Sequence, residues 1–304
     1  MLNKKRALVL SGGGNRGAYE VGVLKHLILN KNRRYDTIIG VSVGALNASF
    51  LSQYNKNEQD IAIKNLENLW KNIKKEDVYS FWNNSIVSSA ILSLFGIKPS
   101  LLDLSPLSRL IDKNFHRNFH ESDTELLIGV TELATGRFIV KDKMNPKLKT
   151  FISASCSIPV IFAPIEIDGI QYVDGGIRSN TPLKAILETG EYDVVDVIVL
   201  VPKEEELEMS PGELRTIYGI AYRTLEILAH KILYSEVNVI NTRDMFKEIQ
   251  TETKELDIDL KINIISPKVN LLSLTNFSSV LNFNKNLIQK FIDLGYENAK
   301  ETIK

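Results

Sequence analysis

The chain has 304 residues, 44% hydrophobic and 24% charged, enough for one substantial core in the range of ordinary globular proteins. Its 37 basic residues balance 37 acidic ones, so no net field favours nucleic acid, and Cys156, the only cysteine, excludes an internal disulfide framework. Ala7 to Leu10 is too short for a signal-peptide core, and no apolar stretch reaches a bilayer-spanning length, Ser85 to Ile97 being broken by Ser88, Ser89 and Ser93. The expectation is a cytoplasmic protein with no transmembrane segment, at most peripheral to membranes; export by a route without a cleavable signal stays open.

In chain order, Ala7 to Leu10 reads as a buried strand running into Ser11-Gly12-Gly13-Gly14. The helix pattern that follows puts Tyr19, Val23, Leu24, Leu27 and Ile28 on one face. Thr37 to Ile39 is a second strand, Gly40 to Gly44 a turn, and Ala45 to Gln53 a helix of small and apolar residues. Two consecutive strand-to-helix units predict a parallel sheet covered on both faces. Residues 58 to 76 form an amphipathic helix with Ile61, Leu66, Leu69, Trp70 and Ile73 as its buried side. Further strands are expected at 126–131, 137–141, 171–173 and 196–201, and one more at 261–265. Residues 203–208, KEEELE, read as a solvated linker before long helix candidates at 217–240 and 281–303.

Three motifs carry chemistry. Gly40-Val41-Ser42-Val43-Gly44 is GxSxG between a strand and a helix, the place of a nucleophile elbow. So sharp a turn leaves no room for side chains two residues either side of the serine. The competing account is a glycine connection with an N-capping serine. Gly12-Gly13-Gly14-Asn15-Arg16-Gly17 satisfies GxGxxG and so admits a dinucleotide site, with Asp36 about 20 residues on as its ribose acid. Against that, Asp36 precedes the second strand where such an acid should follow it. The other use of three glycines is an oxyanion hole of backbone amides, with Arg16 to meet a phosphate or support the loop. Asp174-Gly175-Gly176 ends a strand and can bring an acid close to another loop, although Asp-Gly is also a common hairpin turn.

Taken together and in this order, the three motifs resemble the patatin-like phospholipase family from about Arg6 to Val201. GGGNRG at 12–17, GVSVG at 40–44 and SASCSIPVIFAPIEIDGIQYVDGGIRSNTP at 153–182 carry the resemblance. It implies a three-layer α/β/α fold with a mostly parallel sheet and C-terminal helices. Residues 1–202 would be the catalytic core and 203–304 a helical extension packed on it. It further implies a lipid acyl hydrolase of the phospholipase A or lysophospholipase type, without metal or cofactor, acting on phospholipid or other lipid esters with transient membrane-surface contact. Ser42 and Asp174 would form a Ser-Asp dyad and Gly12, Gly13 and Gly14 the oxyanion hole. Arg16 and Gly17 would support that loop or a substrate phosphate, with Gly40 and Gly44 framing the elbow and Gly175 and Gly176 the loop of the base. The rivals are a dinucleotide-dependent oxidoreductase on the GxGxxG loop and a catalytically silent lipid-binding protein.

Cys156 departs from the small residues frequent at its place and is expected to pack behind the site. A Ser-Asp-His order needs a histidine after Asp174, and only His230 qualifies, inside a helix candidate; His26, His116 and His120 come earlier. Asn47, Asn180 and Pro182 have structural accounts, Asn47 bonding within its own helix and the other two shaping a turn. Residues 79–110 are apolar with few charges, either core or a flap that opens at a lipid surface. Lys113, His116, Arg117 and His120 nearby offer charge to anionic headgroups or simply face water.

Overall fold

The computed structural model describes residues 4–116, 119–202, 260–269, 271 and 279–303, with Thr224, Ile227 and Lys231 as isolated positions. The linker expected at 203–208, most of the helix expected at 217–240, Arg117 and His230 lie outside the described residues.

The apolar runs become the centre of one sheet. Strands β1 (Arg6–Leu10), β2 (Thr37–Val41), β5 (Glu125–Glu132), β9 (Val194–Ile198) and β10 (Lys261–Ile265) pair in parallel in the order β10-β9-β1-β2-β5. Strand β6 (Phe138–Asp142) and the hairpin of β7 (Ile165–Ile167) and β8 (Ile170–Asp174) add antiparallel pairs at β5. Period-two alternation splits β1: Leu8 and Leu10 join one core, Ala7 and Val9 the other. Helices α1 (Gly17–Lys25), α2 (Val43–Ser52) and α3 (Gln59–Asn72) and the last helix, Lys285–Thr302, cover the first face, while a short helix, Leu183–Leu187, sends Leu183 and Ile186 into the second. The described residues beyond 202 thus add a strand to the sheet as well as a helix, the latter packed on α1 and capped by Asn284. Among the described residues, no helix is long and apolar enough to cross a membrane.

Several expectations shift. The run at 196–201 forms its strand two residues earlier, because β1 and β10 pair with 194–198; Val199 to Val201 stay buried as loop. The amphipathic helix breaks after Asn72, a short helix α4 (Lys75–Val78) follows, and Ile61 is exposed, since the face toward the core carries Ala62, Ile63, Leu66 and Trp70. The hairpin signal lies at Asp168-Gly169, both at positive φ, and not at Asp174-Gly175. Residues 79–110 hold a two-stranded neck, β3 (Ser80–Phe81) and β4 (Leu102–Asp103), around α5 (Ile86–Leu94), and then α6 (Ser105–Asn114).

Register brings the motif loops together. Strands β1 and β2 are adjacent and parallel, so the loops after Leu10 and Val41 leave the sheet at the same edge. Val41 pairs with Gly129 and Asp174 with Val130 on the same edge of β5, the other edge being held by β6, so residue 42 and Asp174 meet where β2 and β8 both end.

Candidate active site

Ser42 sits at φ 55° and ψ −127°, a left-handed conformation strained for any residue but glycine, between the end of β2 and the first turn of α2. A Cβ at Gly40 would collide with the carbonyl of Gly44, and one at Gly44 with the carbonyl of Leu10. Both glycines therefore answer to backbone packing around the elbow. Its amide donates to Ser155 Oγ at 2.9 Å, and that hydroxyl donates to the Gly129 carbonyl at 2.7 Å, locking the turn to β5. Cys156 is buried and its Sγ donates to the Ser42 carbonyl at 3.3 Å, behind the turn as expected. Burial, then the nearby Asp174 charge, raise its thiol well above the ordinary value, which leaves it protonated and unreactive.

Asp174 is also buried. Its Oδ1 accepts the Gly176 amide at 2.8 Å, its own amide donates to the Ser157 carbonyl at 2.9 Å, and the Ser42 hydroxyl lies near enough to the carboxylate to favour its ionised form. Burial pushes its pKa up to about 6, against the opposing pull of the Ser42 and Gly176 hydrogen bonds. Among the described residues no cation and no histidine bonds to it. A Cβ at Gly175 would press on the Gly129 carbonyl, so this glycine lets the loop after Asp174 lie flat against β5.

The glycine loop closes the third side. A Cβ at Gly12 would lie 3.0 Å from that of Ser42. The Gly12 amide, expected among the oxyanion donors, instead donates to the Asn180 carbonyl at 3.3 Å, while the amides of Gly13 and Gly14 have no acceptor among the described residues. Arg16 is buried and its Nε donates to the Gly13 carbonyl at 3.0 Å, which bears on the loop-support half of its expected role. Gly17 lets α1 approach α2 and α3, since a Cβ there would strike Val43 and Trp70.

A profile of the family described as patatin-like phospholipase matches residues 8–187, more than half of the chain. The chain belongs to the patatin-like phospholipase family. It is 29% identical over 185 residues to "Probable lipid hydrolase 463L" of Invertebrate iridescent virus 6, a match covering 59% of this chain and 62% of that protein. It is 28% identical over 202 residues to "Uncharacterized protein YjjU" of Escherichia coli K12, covering 65% of this chain and 52% of that one. It is 25% identical over 215 residues to "Triacylglycerol lipase 4" of Saccharomyces cerevisiae, covering 62% and 23%. Less than two thirds of each of these relatives is spanned. The crystal structure of VipD from Legionella pneumophila aligns with a TM-score of 0.45 at 14% identity, over 98% of this chain and 66% of that one.

Within this patatin-like frame, residues that the motifs passed over join the loops. Asn180 donates from Nδ2 to the Gly12 carbonyl at 3.1 Å, its Oδ1 lies against Gly176, and its carbonyl receives the Gly12 amide, so it bolts the glycine loop to the loop of Asp174. Ser11 Oγ shares a hydrogen bond with Thr181 Oγ1 at 2.9 Å and adds a second bolt. Asn47 does not bond within its own helix: Nδ2 donates to the Gly17 carbonyl and to Glu20, and Oδ1 accepts from Trp70 Nε1, because α1 and α3 supply partners closer than its own turn. Nothing short of the tertiary structure signals these links. The histidines go elsewhere: His26 packs edge-on to Tyr296, and His116 and His120 are exposed. Asp36, the ribose acid of the dinucleotide reading, accepts the Arg6 amide and the Lys56 ammonium at the start of β1 and β2, the opposite edge of the sheet from the glycine loop.

Proposed function

We propose that the protein hydrolyses acyl esters of lipids, as a phospholipase A or lysophospholipase, through a Ser42-Asp174 dyad and an acyl-enzyme. The observation that carries this is the strained Ser42 beside a buried Asp174 that no cation among the described residues neutralises. An ordinary carboxylate is a feeble base; burial that raises Asp174 to about 6 makes it a stronger one while leaving it ionised at neutral pH.

Asp174 takes the Ser42 proton as Oγ attacks the ester carbonyl, and the amides of Gly13 and Gly14 receive the charge that develops on the carbonyl oxygen. The tetrahedral adduct collapses, the leaving alcohol takes the proton from Asp174, and the acyl group stays on Ser42. Asp174 then deprotonates a water that attacks the acyl carbonyl, and the fatty acid leaves as Ser42 Oγ takes that proton back from Asp174. The Ser155 and Asn180 bonds hold the turn and the glycine loop in place during both halves. Residues 1–202 are the catalytic core in this reading, with the described later residues, a strand and a helix, joined to it.

The test is lipid hydrolysis by wild type beside Ser42→Ala and Asp174→Asn, with a fluorophosphonate probe for the nucleophile. Each variant is expected to lose about 10⁴-fold or more in kcat/KM, and the probe to label Ser42. Fatty-acid release undiminished in either variant refutes the dyad. A wild type that binds lipid but neither turns it over nor takes the probe is a silent binding protein.

A further inference from the structure

Helix α5, Ile86–Leu94, is inside out. Among its described side chains the buried one is polar: Ser89, 2% exposed, accepts the Trp82 amide at 2.8 Å, and Ser93, four residues on, donates from Oγ to the Ser100 carbonyl. Its outer side is apolar. Val87, Ile91 and Phe95, spaced by four and so on one stripe, are 63%, 50% and 73% exposed, and Ile97 in the turn that follows is 64% exposed. A helix that meets only water shows the reverse pattern, so this one is shaped for an apolar medium.

Its rim and placement say which medium. From Trp82 to Leu102 the chain has no Asp or Glu, and its one charge, Lys98, lies 4.3 Å from the centre of the Trp82 ring. An apolar wedge bordered by an amphipathic indole and a cation suits a phospholipid surface, where aromatic and basic groups occupy the headgroup level and apolar side chains reach the acyl boundary. Val, Ile and Phe offer no hydrogen bonds, whereas a docking surface for another protein mixes polar groups into its rim. The wedge is also tied to the candidate active site. The Leu101 and Leu102 amides donate to the carbonyls of Val160 and Ile161 at 3.1 and 2.8 Å. That loop begins at Ser157, whose carbonyl holds the Asp174 amide, and Val160 is itself 50% exposed.

The geometry points to α5 and its turn as an interfacial docking surface that seats this protein on a phospholipid bilayer. The inference rests on the lipid-hydrolase reading for its purpose, and its test is read by binding, which needs no turnover. Full-length Ser42→Ala is floated with vesicles of phosphatidylcholine and phosphatidylglycerol, alone and with Val87→Ser, Ile91→Ser, Phe95→Ser and Ile97→Ser combined. The combined substitutions are expected to lower the vesicle-bound fraction by about tenfold or more. In the Ser42 background they should lower vesicle-lipid hydrolysis while leaving turnover of a soluble short-chain ester within about twofold, the targets being exposed. As a second readout, Phe95→Trp should be quenched by lipids brominated on the acyl chain.

Equal flotation of the two Ser42→Ala proteins, or no quenching of Phe95→Trp, overturns the inference. So does an equal loss on soluble and vesicle substrates, which would make the patch part of the fold. Self-association in solution that the four serines abolish, without vesicle binding, assigns the face to a second copy instead. If the chain hydrolyses nothing yet floats through these residues, the docking surface stands and the lipid-hydrolase reading falls.

Discussion

Two aspartates are buried in this molecule in opposite company. Asp196, in the middle of β9, is fully buried and meets the Arg33 guanidinium, the Tyr35 hydroxyl at 2.8 Å and Asn263 Nδ2 at 2.8 Å. Burial first, then the Asp196 charge, raise the Tyr35 phenol well above its ordinary value, so its hydroxyl stays a donor. That acid is compensated on every side. Asp174 is buried almost as deeply, but among the described residues it meets the Gly176 amide and lies near the Ser42 hydroxyl, both neutral, and its pKa rises to about 6. On the proposed mechanism, the difference teaches that burial alone does not make a base. A carboxylate becomes one when its site withholds a cation and places a proton donor in reach.

The largest effect should separate the two acids by activity. Asp174→Asn is expected to cost about 10⁴-fold or more in kcat/KM on a soluble ester, whereas Asp196→Asn, measured on the fraction that remains folded, should stay within about tenfold of wild type. Comparable losses would break the contrast. Next comes stability. Arg33→Met strands the Asp196 charge in the sheet and should lower unfolding free energy by about 3–5 kcal/mol in a denaturant titration. A loss under about 1 kcal/mol would mean that Tyr35 and Asn263 suffice and that the cation is dispensable.

Titration sharpens the same contrast. The folded-state pKa of Asp174, about 6, lies above its ordinary value of 3.8, so the folded protein holds this proton more tightly than the unfolded chain does. The stability from that proton is fully present below pH 3.8 and lost as pH rises through about 6, leaving an ionised Asp174 that costs on the order of 3 kcal/mol. Asp174→Asn should therefore stabilise the fold by up to about that amount at pH 8 and by almost nothing at pH 3.5. In the wild type kcat/KM should fall tenfold per pH unit below about 6, as the base protonates. A limb near pH 4 would show that the carboxylate is solvated in the working enzyme.

The sheet and the motif loops were legible because their signals are local. Buried apolar runs mark β1 and β2, and glycines mark the places where backbones collide around Ser42. What escaped was set by distant partners. Ser155 matters through an amide 113 residues away and Asn180 through a carbonyl 168 residues away; both lie in the stretch that carries the family resemblance, but nothing in it names those partners. Strand β7 has three residues and exists by pairing with β8 across Asp168-Gly169. For α5 composition gave apolarity but not direction: only the bonds of Ser89 and Ser93 fix which face turns outward.

A third buried acid supplies the smallest and cleanest prediction. Glu20 on α1 is fully buried, with Oε2 accepting Asn47 Nδ2 at 2.8 Å and Oε1 without a partner. Burial raises its pKa well above the ordinary value, against the hydrogen bond from Asn47, and so favours its neutral form. Among the described residues it lacks a cation as Asp174 does, yet it faces no nucleophile, and its charge state should be irrelevant to turnover. Glu20→Gln keeps the shape, the acceptor for Asn47 and the neutrality, so stability at pH 7 should change by less than about 1 kcal/mol and kcat/KM by less than about threefold. A larger loss, or a displaced pH limb in this variant, would mean that Glu20 carries charge in the folded protein. Its field would then reach Ser42 through α2, and Asp174 would not be the group that sets the limb.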